Sequence, residues 1–249
     1  MIHKYTILEK HIPRVITQLR EQNMIPLFDY IRENCKKTYI THFKLSKLQE
    51  NYSDYPFAIK LSSFGYNITH LKALYALNSK LYVDAESLKT LRKDNEFIYK
   101  CWDNNLHIGK TYQMYRKSAF SELKNDLRFY GNNFPIKLVR GAYYHSDSGI
   151  KLFPTKADTD EQYNKSIKWL QDNDIKNVLY ATHNEHSLSL LKENSNIAHL
   201  YGVRDDLSKK YAQNNTVYKY VPFGKYHETL PYLFRRLMEN RSIIGHLVY

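Results

Sequence analysis

The chain has 249 residues, a net charge of +12 and only two cysteines, Cys35 and Cys101, far apart in sequence. That length suits one large α/β domain with a sizeable core, and the cysteine usage excludes a disulfide scaffold and points to a reducing compartment. No apolar run is long enough to span a membrane, the opening MIHKYTILEKHIPRV lacks the apolar core of a signal peptide, and the lysines are spread along the chain, not gathered into a basic block that would suit nucleic acid.

In chain order, a leading helix over about 6–22 comes first. Short apolar runs then alternate with helix-like segments. The expected strands are 24–30, 56–63, 80–85, 107–113, 135–142, 176–183, 197–202 and 216–224. Between and after them come expected helices at 41–51, 67–78, 86–100, 116–130, 159–173, 185–194, 204–213 and 226–241. Thr159 and Asp160, with Gln162 close behind, read as the capped start of one of these.

Strand followed by helix, eight times over, is the pattern of a (β/α)₈ barrel occupying the whole chain, 1–249, as a single domain with an N-terminal leading helix. A doubly wound open sheet is the alternative, but no Gly-rich phosphate turn follows an early strand. With only eight glycines in the chain, any cofactor phosphates fall to side chains and helix ends.

In a barrel the chemistry collects at the C-terminal rim of the strands. Those ends carry Asp29, Lys60, Asp84, Gln113, Arg140 with Tyr143, Thr182–His183–Asn184, Leu200 and Tyr220. Lys60 and Lys137 are flanked by apolar residues, so each must find an anion, lose its charge or snorkel out through the helix layer. In the functional reading Asp84 balances at least one of them.

The segment LPYLFRRLMEN (230–240) has an apolar helical stripe, Leu230, Leu233, Phe234, Leu237 and Met238, together with the adjacent pair Arg235 and Arg236. Taken locally, the arginines are either a solvated face paired to Glu239 or Asn240, or a planar, bidentate clamp for a carboxylate or phosphate. No HExxH or paired-histidine spacing occurs, so no metal site is expected.

KLVRGAYY (137–144), TYQMYRKSAF (111–120), VDAE (83–86), ATHNEHSL (181–188) and YKYVPFGKYHETLPYLFRRLMEN (218–240) together resemble the proline dehydrogenase family, flavin-dependent enzymes that open proline catabolism. The resemblance runs from about 25 to 244 and leans towards the eukaryotic branch, in a short form. It implies a fold of the barrel type, FAD as cofactor, L-proline as substrate and a quinone as electron acceptor, with transient membrane-surface contact and no nucleic acid. For the site it implies Arg235, Arg236 and Lys60 on the proline carboxylate, with Tyr143, Leu200 and Tyr220 lining the substrate pocket. Asp84 and Lys137 fall at active-site positions, the latter where bacterial relatives carry arginine. Gln113, Arg140, Gly141, Ala142, Thr182 and His183, and more loosely Ala85, Asn184 and Glu239, match flavin-contacting positions. Thr155 and Lys156 match the region of the cofactor's phosphate or adenosine end. A tyrosine at 220 implies proline over 4-hydroxyproline. The location expected is intracellular, cytoplasmic or mitochondrial, with no clear presequence. The competing readings are a flavin-free descendant that binds proline or a protein partner and, more remotely, a basic nucleic-acid-binding barrel.

Overall fold

The computed structural model describes residues 5–31, 38–77, 80–144, 147, 149 and 151–225. Eight parallel strands close on themselves in sequence order: β1 (Met24–Tyr30), β2 (Phe57–Ile59), β3 (Leu81–Val83), β4 (Gly109–Gln113), β5 (Ile136–Val139), β6 (Val178–Ala181), β7 (Asn196–Leu200) and β8 (Thr216–Phe223), with β8 hydrogen-bonded back to β1. Helix α1 (Ile12–Arg20) precedes β1 after a single 3₁₀ turn at Glu9–His11. It carries Pro13 in its first turn and buries Ile12, Val15, Ile16 and Leu19, the i, i+3, i+4, i+7 stripe of an amphipathic helix. The strands are separated by α2 (Thr38–Tyr52), α3 (Leu61–Phe64) with α4 (Ile68–Ala76), α5 (Leu91–Asp103), α6 (Ala119–Tyr130), α7 (Lys156–Asp172), α8 (Glu185–Ser189) and α9 (Asp205–Tyr211). The expected helix at 226–241 lies outside the described residues.

A strand's period of two sends alternate side chains to opposite faces, and that divides the barrel into two cores. Leu27, Ala58, Tyr82, Leu179, Ala198 and Tyr220 pack together as one small cluster, joined by Ala181, Leu200 and Tyr218. The other face of the same strands, including Phe28, Phe57, Val83, Leu138, Tyr180, Ile197 and Val221, packs into the larger cluster shared with the helices. Tyr82 fills so much of the small cluster that a Cβ on Gly109, on the neighbouring strand, would lie 2.4 Å from its ring. Only glycine fits there.

Two lysines do turn outward under the helices. Lys110 is 1 % exposed, and its ammonium meets Asp126 at 2.7 Å, Glu122 at 2.8 Å and the Tyr99 hydroxyl at 2.8 Å. Lys219 reaches Asp205 at 2.8 Å and Ser208 at 2.9 Å.

Most strands end earlier than their apolar runs suggest, because the backbone must leave the sheet at the rim. β2 stops at Ile59, where an extended run to 63 is expected. Lys60 is the N-cap of the one-turn α3, which closes on Gly65 at φ +74. Helix α7 begins at Lys156, not at 159: Thr155 is its N-cap, its hydroxyl accepting from the Asp158 N–H while Asp158 accepts from the Thr155 N–H, a complete capping box. Thr159, Asp160 and Gln162 lie inside the helix.

Removing Lys110 alone would leave the buried Asp126 carboxylate without its cation, while Glu122 keeps Arg116 at 2.8 Å. Lys110→Met is therefore expected to lose on the order of 3–5 kcal/mol of unfolding free energy in urea titration, and a loss below about 1 kcal/mol would contradict the network as described.

Candidate active site

Strands β1, β5 and β8 and the residues that follow β2 and β3 bring four charges and a phenol together. Asp29, on β1, is 0 % exposed, and one of its oxygens accepts from the Lys60 ammonium at 2.5 Å. Lys60 stands 3.7 Å from Asp84, the residue following β3. The other Asp84 oxygen accepts from Lys137 on β5 at 2.5 Å, and the Tyr220 hydroxyl donates to Asp84 at 2.5 Å. Both lysines thus turn towards the barrel mouth, and Asp84 balances both.

The two carboxyls respond differently. Burial alone would raise Asp84, but Lys137, then Lys60, with hydrogen bonds from Lys137 and Tyr220, overcome it and hold the group at about 2. For Asp29 burial prevails: Lys60 opposes it only in part, Asp84 adds to it, and the carboxyl lies above its ordinary range.

Above these residues opens a cavity of about 490 Å³, in the size range of small-molecule and cofactor sites. The loop after β5 forms one wall. Gly141 sits at φ +116, and a Cβ there would lie 1.8 Å from the Tyr115 ring. The backbone of 140–142 is thereby held directly against the cavity. Arg140 is tied down by Asp160, by the Thr182 hydroxyl at 2.6 Å and by the Ser187 hydroxyl at 2.8 Å, with its guanidinium 4.4 Å from the centre of the Tyr163 ring. On the adjacent strand, the Gln113 amide donates to the Glu86 carbonyl at 3.1 Å, while its buried Oε1 accepts no hydrogen bond among the described residues.

His183 lies on the wall formed by the loop after β6. Its Nε2 accepts from the Leu200 N–H at 3.1 Å, so that nitrogen carries the lone pair and the ring proton belongs on Nδ1. The His199 ring stacks on it, with centroids 4.8 Å apart. Burial first, then His183 and Lys219, push His199 down to about 2. Among the described residues no group of three or more His, Cys, Asp or Glu side chains could hold a metal ion.

The family model described as proline dehydrogenase matches residues 14–247. The chain belongs to the proline dehydrogenase family. It is similar to "Proline dehydrogenase 1, mitochondrial" of Dictyostelium discoideum, 35 % identical over 170 residues, covering 55 % of this chain and 30 % of that protein. It is also similar to "Hydroxyproline dehydrogenase" of Xenopus laevis, 32 % identical over 174 residues, covering 58 % and 37 % respectively. The match thus spans about a third of the length of these relatives. Among solved structures, proline utilization A from Bdellovibrio bacteriovorus superimposes with a TM-score of 0.86 at 17 % identity, covering 96 % of this chain and 32 % of that one, which supports the shared barrel fold.

Of the positions picked out by the proline dehydrogenase resemblance, Lys60, Asp84, Ala85, Gln113, Lys137, Arg140, Gly141, Ala142, Tyr143, Lys156, Thr182, His183, Leu200 and Tyr220 line the one cavity. Two do not. Thr155 is spent on capping α7, and the Asn184 side chain caps α8 by accepting from the Ser187 N–H at 2.9 Å. Arg235, Arg236 and Glu239 lie outside the described residues. Sequence reasoning missed Thr111, Tyr115, Thr159 and His199 in the lining. Thr111 was findable, because it shares a strand face with Gln113 two residues on. For His199 no motif marks the position.

Because His199 stays neutral in the folded barrel while an unfolded chain protonates it, stability is lost as pH falls below about 6.5, by roughly 1.4 kcal/mol per pH unit. Chemical denaturation between about pH 6.5 and pH 4.5 should show a shallower decline in His199→Asn than in the parent protein. Parallel pH dependences would contradict a buried, neutral His199.

Proposed function

We propose that this chain is the catalytic barrel of a flavin-dependent proline dehydrogenase, oxidising L-proline to Δ1-pyrroline-5-carboxylate. The observation that carries the reading is the convergence of Lys60, Asp84, Lys137 and Tyr220 on one cavity whose wall is the Arg140–Gly141–Ala142 turn, in a chain of this family.

The residues present fit a flat cofactor with polar edges. Gln113 offers a buried acceptor that lacks a partner among the described residues, and Gly141 brings the backbone to the cavity where a side chain would collide. FAD would be held by Gln113, Arg140, Gly141, Ala142, Thr182 and His183, with Lys156 towards its phosphates. Bound there, the flavin supplies an acceptor for the hydride leaving the substrate carbon beside nitrogen and a route for electrons to a quinone.

The chain's own residues do the placing. Lys60 offers an ammonium to the substrate carboxylate, and Arg235 and Arg236 complete the clamp by sequence expectation. The carboxylate is remote from the reacting carbon, so its binding free energy orients that carbon. Asp84 stays ionised and fixes both the Lys137 ammonium and the Tyr220 hydroxyl, which makes them rigid walls and not mobile ones. Tyr143 and Leu200 close the apolar side and keep water from the reacting carbon. Lys137 presents a positive charge where negative charge develops during reduction. Electron transfer to a membrane quinone calls for transient contact with a lipid surface; no described helix is long and apolar enough to cross one.

Purified protein supplied with FAD is expected to show a flavin absorption spectrum that bleaches anaerobically on addition of L-proline. Because Tyr220 is pinned over the pocket by Asp84, 4-hydroxyproline at equal concentration should bleach it at least about tenfold more slowly, a difference of about 1.4 kcal/mol in the barrier. A protein that stays colourless would defeat the flavin reading, and faster bleaching by 4-hydroxyproline would defeat the role given to Tyr220.

A further inference from the structure

Asp29 is the charged group of the mouth that the proposed reaction does not use. It is wholly buried on β1, with Oδ1 bound to Lys60 at 2.5 Å and Oδ2 accepting no hydrogen bond among the described residues. A carboxylate kept from water with one oxygen unsatisfied is a costly arrangement. The groups facing it are Lys60 at the end of β2, Asp84 at the end of β3 and Tyr220 on β8, with Lys137 on the far side of Asp84. At the floor of the mouth Asp29 and Asp84 face Lys60 and Lys137. A substrate carboxylate docking on Lys60 therefore meets an ammonium already engaged by two carboxyls, Asp29 at 2.5 Å and Asp84 at 3.7 Å.

Resting on the substrate reading above, we propose that Asp29 is a positioning residue for Lys60, and that binding of a carboxylate at this mouth is coupled to uptake of one proton from solvent by Asp29. Ionised, Asp29 draws the ammonium down to the floor of the mouth. Protonated, it releases most of that attraction, and the Lys60 charge is offered to the anion above. No bond in the substrate changes. Burial already raises the Asp29 carboxyl above its ordinary range, and an anion arriving 3–4 Å from Lys60, as in an ordinary ion pair, raises it further.

Tetrahydrofuran-2-carboxylate, which keeps proline's ring and carboxylate but lacks its amine, is a probe of this step. Its binding to the FAD-supplemented full chain is measured by titration calorimetry in buffers of different ionisation enthalpy, from about pH 5 to about pH 9. The wild-type protein should take up a proton as the probe binds, with affinity falling up to about tenfold per pH unit above the titration of free Asp29. Asp29→Asn should bind the probe with no proton uptake and a flat pH profile, and Asp29→Glu should restore the uptake. A merely structural Asp29 would change affinity in both variants without moving the proton count. Binding without proton uptake in the wild type overturns the proposal, whether or not the variants fold, as does a wild-type pH profile in Asp29→Asn. A probe that binds at no pH, in a protein whose flavin L-proline does not bleach, defeats the substrate reading itself, whereas bleaching by proline with proton-free probe binding defeats only the role of Asp29.

Discussion

Two ammonium groups and a phenol converge on the single carboxylate of Asp84, and this contact organises the barrel mouth. Lys137 and Tyr220 are 2.5 Å from its oxygens and Lys60 is 3.7 Å away. Charges this far from water are tolerable only in opposite-sign pairs. Asp84 cannot be neutralised without depriving Lys137 of its anion, whereas Lys60 keeps Asp29 at 2.5 Å, and Lys137 cannot swing away without leaving Asp84 only the more distant Lys60. The result is a pocket floor on which the Lys137 charge and the Tyr220 hydroxyl are fixed in place before any substrate arrives, the condition under which electrostatic guidance of a reaction is strongest.

The barrel makes this possible through its alternation. Lys110 and Lys219 lie on strands, as Lys137 does, but on the other face, where they are consumed by Asp126, Glu122 and Asp205 under the helices. A shift of one residue in strand register would exchange the two sets. The small interior cluster beneath the mouth, with Tyr82 wedged against Gly109, resists such a shift because a side chain at 109 has no room. The charged mouth thus stands on a close-packed apolar floor.

How much of this was readable beforehand follows from which interactions are local. The eight strands and the helices between them are legible in the sequence, because the apolar runs and their polar ends repeat along the chain, while the helix expected after β8 lies outside the described residues. The strand ends were read too long, since apolar residues continue past the last ladder hydrogen bond, as in the Leu61–Phe64 turn after β2. Helix α7 starts three residues before the expected 159, because Thr155 with Asp158 and Thr159 with Gln162 offer similar signals, and only the fold chooses between them. The mouth residues were found largely through the proline dehydrogenase resemblance. What stayed hidden are partnerships between distant positions: Asp29 with Lys60, Arg140 with Asp160 and Ser187, His199 with His183 and Ser208. No spacing in the sequence encodes a contact between two strands that meet only when the barrel closes.

The central claim is that the ionised Asp84 orders this site for oxidation of an amino acid. The most direct measurement is the rate of anaerobic flavin reduction by L-proline in stopped flow, comparing the wild-type protein with Asp84→Asn at matched flavin content. With Asp84 neutral, Lys137 and Tyr220 lose their common anchor, and the account predicts reduction slower by at least about tenfold, equal to about 1.4 kcal/mol, with the barrel's circular dichroism unchanged. Reduction at the wild-type rate in that variant would contradict it.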